Sequence, residues 1–152
     1  MAPDPGAPDP AIEEPTRPDP GLEVEVRAWL ELAALDLEVA VRLVDDPDFA
    51  RVVVYHCQQA AEKAVKGFLT WHGVRFGRTH DLDVLGSLAR PLAPALGPAL
   101  DRAVELTPYA WLYRYPPDSP APLEGETDEA IGAARELLEA ILANLPGGLR
   151  PR

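Results

Sequence analysis

Residues 52–71 read VVVYHCQQAAEKAVKGFLTW, and the spacing of apolar side chains in this stretch decides the fold class. Apolar residues cover a wide arc at a period of about 3.6, which predicts a helix over residues 48–71 that packs against two or more neighbours. Glycine is the usual residue just past a helix end, so His72-Gly73 marks the end of this helix. Small side chains would let another helix approach closely, and they lie at Ala60, Ala61, Ala64 and Gly67.

The other side of the same helix is polar. Glu62 and Lys66 lie at a spacing where opposite charges on a helix attract each other. The helix is therefore expected to pack through its apolar arc and to carry its ionisable groups together. The polar side chains of this face are Arg51, Gln58, Gln59, Glu62, Lys63, Lys66 and Thr70.

Helical periodicity continues on both sides of this segment. From Leu22 to Val44 apolar residues recur every third or fourth position, and Asp45-Asp46-Pro47 ends the pattern because the residue before a proline avoids helical geometry. Further helices are predicted over residues 82–89, from Pro98 to about Thr107, and over residues 128–145. No alternating apolar run typical of a β-strand is present. The sequence therefore predicts an all-α fold, an up-and-down antiparallel bundle of about four to five helices.

Short polar side chains precede two of these helices. Either Thr79 or Asp81 can cap the helix over residues 82–89, and Thr127 is placed to cap the last helix. Pro91 ends the helix that begins after Asp81. These signals fix where the chain changes direction.

Composition divides the chain into three parts. Residues 1–21 contain 7 prolines among acidic and small residues, which predicts a disordered tail, since such a segment cannot bury enough apolar surface. Residues 22–146 have the size and periodicity of one helical domain. Pro146-Gly147-Gly148 closes the last helix, and residues 147–152 are expected to be flexible.

The compartment follows from what the sequence lacks. No apolar run is long enough to cross a bilayer, and the first residues show no secretory signal. A single cysteine, Cys57, lies in an apolar segment, which excludes an intrachain disulfide and favours a core position with a raised pKa. A cytoplasmic protein with no membrane partner is the expected reading.

Charge is distributed unevenly. The net charge of −11 argues against non-specific coating of nucleic acid. Residues 51–80 nevertheless carry 5 cations against Glu62 alone, a local balance of 5 − 1 = +4, together with all 3 histidines. If any part of the chain meets a phosphate group, it is this part; the alternative is that the cations cluster by chance on one helix.

The sequence RFGRTHDLDVL, residues 75–85, raises the question of catalysis. Arg75 and His80 have an Arg-x4-His spacing, as do Arg51 and His56. Metal-independent RNA cleavage needs a general acid/base of near-neutral pKa and a cation beside the phosphorus, with the 2′-OH of the RNA as nucleophile. In a chain with 12 arginines such spacings also arise by chance, so the alternative is that the arginines are solvated and His80 lies at a helix start.

Other chemistry finds little support. The histidines and Cys57 have no metal-ligand spacing, and no glycine-rich phosphate loop is present, so neither a metal nor a cofactor is expected. Asp36 is a polar residue on the apolar face of the first helix, and a buried carboxylate needs a donor. Gln59 and Lys63 are candidate donors. Asp36 is then either a polar link between two helices or part of a ligand site.

Several ordered pieces of the chain resemble the HEPN (higher eukaryote and prokaryote nucleotide-binding) family. They are DLEVAVRLVDD at residues 36–46, YHCQQAAEKAVKGFLTWHGVRFGRTHDLDVL at 55–85 and LYRYP at 112–116, within a similarity that covers about residues 26–145. The resemblance is to the branch with THDL and RYP signatures. It implies an up-and-down helical bundle, often a homodimer, and frequent partnership with a minimal nucleotidyltransferase.

Many members of that family are ribonucleases with an Arg-x(4–6)-His motif at the start of a late helix. Here the late helix contains no histidine, so Arg75–His80 fits the spacing but not the position. The resemblance therefore favours a domain that binds a nucleotide or nucleic acid and acts with a nucleotidyltransferase in a toxin–antitoxin-like pair. Phosphate contacts are expected from Lys63, Lys66, Arg75, Arg78 and His80, and a second wall of the site from Arg114 and Tyr115.

Two other functions stay open from the sequence. One is a metal-independent endoribonuclease toxin that uses His80 as acid/base and Arg75 as the cation. The other is a helical interaction domain that has no ligand site.

Overall fold

A computed structural model describes residues 19–113, 116 and 120–152. Over these residues the chain is helical and contains no strand, which confirms the all-α prediction. Short 3-10 helices occur at Pro47–Phe49, Pro94–Leu96, Val104–Ala110 and Gly147–Leu149. The α-helices are α1 (Pro20–Leu43), α2 (Ala50–Trp71), α3 (Leu82–Ala89), α4 (Gly97–Ala103) and α5 (Glu126–Ala143).

Helix α1 begins two residues before the predicted start at Leu22. The Asp19 carboxylate accepts a hydrogen bond from the Gly21 backbone N–H at 2.9 Å, and Pro20 occupies the first turn. The last residues of the predicted tail therefore belong to the helix. Residues 1–18, where the rest of that prediction falls, lie outside the described residues.

Helix α2 is the central element and packs along both α1 and α5. Its core side chains, including Val53, Val65 and Phe68, are fully buried. The close approach to α1 depends on Gly67, since a Cβ atom there would lie 3.1 Å from the Cβ of Trp29. The helix ends where predicted, with Gly73 in the left-handed region at a φ of 67°.

Helix α3 has the predicted bounds. Asp81 is its N-cap and accepts from the Asp83 N–H at 2.8 Å, while Thr79 Oγ1 accepts from the Asp81 N–H at 3.1 Å. Asp81 is therefore the cap, and Thr79 supports the turn that precedes it. The following helix is shorter than predicted, because the chain tightens after Ala103 into a 3-10 helix that contains Pro108.

The prediction that Thr127 caps helix α5 is wrong. The helix begins at Glu126 and its N-cap is Gly125, which has a φ of 87°. Beyond α5, the 3-10 helix at Gly147–Leu149 places Leu149 in the core at 2% exposure. The flexibility expected for residues 147–152 stays a prediction. Within the described ranges, no helix combines the length and apolar character that crossing a bilayer requires.

Candidate phosphate-binding site

Glu62 lies at the centre of a polar cluster between α2 and residues 72–81, which form the loop that leads to α3. Its side chain is almost fully buried and accepts from Lys66 Nζ at 2.6 Å, Gln58 Nε2 at 3.0 Å and His80 Nδ1 at 3.0 Å. Burial alone would raise the pKa of Glu62, but the hydrogen bonds from Lys66, Gln58 and His80 outweigh it and lower that pKa below its ordinary value. We call these four residues the Glu62 cluster.

Lys66 points into the protein rather than towards solvent. Lys66 is 8% exposed. Its ammonium lies 5.8 Å from the ring centre of Trp29 on α1 and 5.7 Å from that of Phe76 in the loop. The two rings meet edge to face at 6.2 Å. Lys66 therefore contacts both α1 and the loop from its position on α2. Around Lys66, the polar side of α2 is buried between these elements and does not face solvent.

The end of the loop is fixed by hydrogen bonds to its backbone. Gln58 Nε2 donates to the His80 carbonyl at 3.2 Å, and the Leu82 N–H donates to Thr107 Oγ1 at 3.2 Å. The His80 side chain is 56% exposed although its Nδ1 contacts buried Glu62. The contact of Nδ1 with Glu62 holds the ring in one orientation. If His80 is neutral and donates through Nδ1, Nε2 carries the lone pair and can accept a hydrogen bond or a proton.

Arg75 and Arg78 lie in this loop, upstream of His80, and both are exposed. The ion pairs between described residues include neither of them. Lys63 and Lys66, in contrast, are each paired with a carboxylate. Of the five cations of residues 51–80, the loop therefore presents two, Arg75 and Arg78, to solvent.

Asp36 forms a second polar cluster on α1 with two residues of α2. Its carboxylate contacts His56 Nδ1 at 2.8 Å and Lys63 Nζ at 2.5 Å, so Asp36 links α1 to α2, and its part in a ligand site stays a prediction. The proposed donor Gln59 is not part of it, since Gln59 Nε2 donates to Gln58 Oε1 at 2.7 Å. Gln59 thus supports the Glu62 cluster instead.

A cavity of about 230 Å³ lies on α2 beyond these clusters and was not predicted from the sequence. The Arg51 guanidinium lies 5.1 Å above the centre of the Tyr113 ring. Burial and the nearby Glu126 carboxylate raise the pKa of Tyr113, so its phenol stays neutral. We call this the tyrosine cavity; it is lined by Arg51, Val52, Tyr55 and Tyr113.

A larger cavity, of about 270 Å³, separates the residues after α4 from α5. Three carboxylates line it, and its arginine, Arg102, is already paired with Glu136 at 2.7 Å. Such a wall repels phosphate. The carboxylates are Glu105, Glu126 and Glu129.

The remaining predicted residues divide as follows. Arg114 and Tyr115 lie outside the described residues. Cys57 is fully buried, and burial raises the pKa of its thiol to about 12, as its apolar setting predicted. Among the described residues no group of three or more histidine, cysteine or acidic side chains is arranged to hold a metal ion.

Comparison with known proteins gives a consistent result. The HEPN domain family model matches residues 26–145. The crystal structure of ST0689, an archaeal HEPN homologue, superposes with a TM-score of 0.58 at 27% sequence identity, covering 78% of this chain and 96% of that chain. No curated protein matches the chain.

Proposed function

Because this chain belongs to the HEPN domain family, we propose that it binds the phosphate groups of a nucleotide or nucleic acid at the loop of residues 72–81. The observation that supports this most strongly is the way His80 is held. Gln58 fixes its backbone, Glu62 fixes its ring, and its side chain is still 56% exposed. Arg75 and Arg78 are exposed in the same loop, so their charges are accessible to a ligand beside a histidine whose position is fixed.

Each residue has a distinct role in this proposal. Arg75 and Arg78 attract phosphate by charge, and His80 donates a hydrogen bond when protonated. Lys63, which is partly exposed beside Asp36, contributes at the edge of the site. We assign Lys66 a supporting role in place of the phosphate contact expected from the sequence, since its ammonium is paired with buried Glu62.

The partnership belongs to the same proposal. We infer a cytoplasmic, toxin–antitoxin-like pair with a minimal nucleotidyltransferase, in which this chain is a homodimer; the support is the family resemblance. An exposed apolar stripe on α1 suits contact with a second copy, since Val24, Leu32 and Leu35 are 68%, 46% and 54% exposed. Replacing both leucines by lysine would then convert a dimer to a monomer in sedimentation.

Phosphate binding can be tested by calorimetric titration of the full chain with nucleoside triphosphates and with tripolyphosphate. Arg75→Ala and Arg78→Ala should each weaken binding by about tenfold, and salt should weaken it further. Arg42→Ala is the matched control, because Arg42 is an exposed arginine on α1 paired with Glu38. If neither ligand binds the unmodified protein, the nucleotide-binding proposal is wrong, and RNA cleavage or a pure interaction domain remains.

A second candidate function is metal-independent RNA cleavage. It is favoured by the Glu62–His80 contact, because a carboxylate at Nδ1 leaves Nε2 as a base that could take the proton of the 2′-OH. Arg75 would stabilise the charge that develops at phosphorus. Cleavage in EDTA that is abolished by His80→Ala and kept by Arg42→Ala would establish it, and absence of cleavage of any RNA would exclude it.

A further inference from the structure

We propose that the tyrosine cavity receives the base of a nucleoside triphosphate whose terminal phosphate lies at the 72–81 loop. This inference rests on the proposed phosphate-binding function. It assigns the part of the ligand that the loop does not explain, and it gives the chemical class of the ligand as a planar aromatic ring joined to a chain of phosphates.

The walls of the cavity suit a planar ring. Tyr55 and Tyr113 supply aromatic side chains, and Val52 supplies an apolar one. The Arg51 guanidinium, itself planar, lies over the Tyr113 ring at 5.1 Å, so a planar cation and an aromatic ring already meet in the cavity wall. Tyr109 extends the aromatic surface, since its ring stacks on Tyr113 with centres 6.1 Å apart.

The size of the cavity favours the base alone. Sites that enclose a drug-sized ligand usually measure about 300–1,000 Å³. At about 230 Å³ the tyrosine cavity is smaller than that range. A whole nucleotide would exceed it, so the sugar and phosphates must lie outside, along the surface of α2.

The position of the cavity gives the length of the ligand. Tyr55 and Glu62 are two helical turns apart on one side of α2, a distance of about 10 Å at the usual rise per residue. Glu62 contacts His80, so the cavity and the cationic loop are separated by about this distance. A triphosphate chain can span it from a seated base, whereas the single phosphate of a nucleoside monophosphate cannot reach the loop.

The walls also predict little selection among bases. The cavity-lining groups that the structure describes are two tyrosine rings with their hydroxyls, a valine side chain and one guanidinium, and the Tyr113 hydroxyl donates to the Pro120 carbonyl at 3.4 Å. Stacking is tolerant of base identity because every base has a π-face. ATP, GTP, CTP and UTP should therefore bind with similar affinity, purines somewhat better.

The test compares two changes inside the cavity with one outside it. Tyr55→Leu removes a ring, and Val52→Trp fills the cavity from a position that is 38% exposed and so tolerates a larger side chain. Both should weaken ATP binding by about tenfold and leave tripolyphosphate binding unchanged. Leu92→Trp, at a residue that is 39% exposed after α3 and is outside the cavity, the loop and the α1 stripe, is the matched control and should have no effect.

The outcomes separate this inference from the function on which it rests. Unchanged ATP affinity in both cavity variants, with Arg78→Ala still weakening ATP, would place the base elsewhere and leave the phosphate site standing. AMP binding as tight as ATP would also overturn the proposed length. If the unmodified protein binds neither ATP nor tripolyphosphate, both proposals fail together.

Discussion

His80 Nδ1 lies 3.0 Å from Glu62 Oε2, which places an exposed histidine at the start of α3 in contact with a buried carboxylate of α2. The same carboxylate accepts from Lys66 at 2.6 Å. The exposed His80 in the loop is therefore linked, through Glu62 and Lys66, to the packing of α1 on α2.

Removing the charge of Glu62 should destabilise the fold strongly. Glu62→Gln leaves the Lys66 ammonium buried without its anion, which costs about 3 kcal/mol in the free energy of unfolding. Urea denaturation measures this loss. Glu38→Gln is the control, since Glu38 forms an exposed i, i+4 pair with Arg42 and should cost less than about 0.5 kcal/mol. Equal losses in the two variants would contradict the buried role of Glu62.

Acid should weaken the protein through the same residue. The pKa of Glu62 is lowered on folding, so its contribution to stability is complete above the ordinary glutamate pKa and is lost as pH falls through the lower folded value. Stability of the unmodified protein should therefore fall more steeply below about pH 4.5 than that of Glu62→Gln. Parallel curves from pH 7 to pH 3 would show that the carboxylate is not held as described.

Cys57 should be inert in the folded protein. A thiol whose pKa is about 12 is almost wholly protonated at pH 8, with roughly one molecule in ten thousand ionised. A chromogenic thiol reagent should react with Cys57 only as fast as the protein unfolds. In concentrated urea the reaction should be immediate. Rapid reaction without denaturant would mean that the thiol reaches solvent in the native state.

The contact between α1 and α2 should not accept a branched side chain at Gly67. A Cβ atom there already lies 3.1 Å from Trp29 Cβ, so Gly67→Val should lower the free energy of unfolding by about 2 kcal/mol or more. Gly77→Val tests the same change in open space, because no atom lies within 4 Å of its Cβ position, and should change stability by less than about 0.5 kcal/mol. Equal stabilities in denaturant would argue against the close approach.

Local signals in the sequence predicted local structure well. The bounds of α3 and its Asp81 cap follow from residues within one turn of each other, and the end of α2 follows from Gly73. The cap of α5 was missed because Thr127 offered a side-chain oxygen, whereas the chain turns at Gly125, which has no side chain and adopts a positive φ easily.

The arrangement of the site was predicted only in part. Lys66 reads as a surface cation by helical spacing, but its environment is set by Trp29 and Phe76, which come from other parts of the chain. The tyrosine cavity is formed by residues of α2 together with Tyr113, which is distant in sequence. No spacing of residues along the chain therefore predicts it. Asp36 was found because one carboxylate on an apolar stripe requires a donor, and Lys63 supplies it.

The Glu62 cluster also determines how substitutions in this site combine. Gln58, Lys66 and His80 share one acceptor, so the effect of changing two of them should differ from the sum of the separate effects. A change at His80 would alter both the proposed ligand contact and the energy that couples α2 to α3. The two contributions separate only in a double-mutant cycle, in which His80→Ala is measured with and without Glu62→Gln.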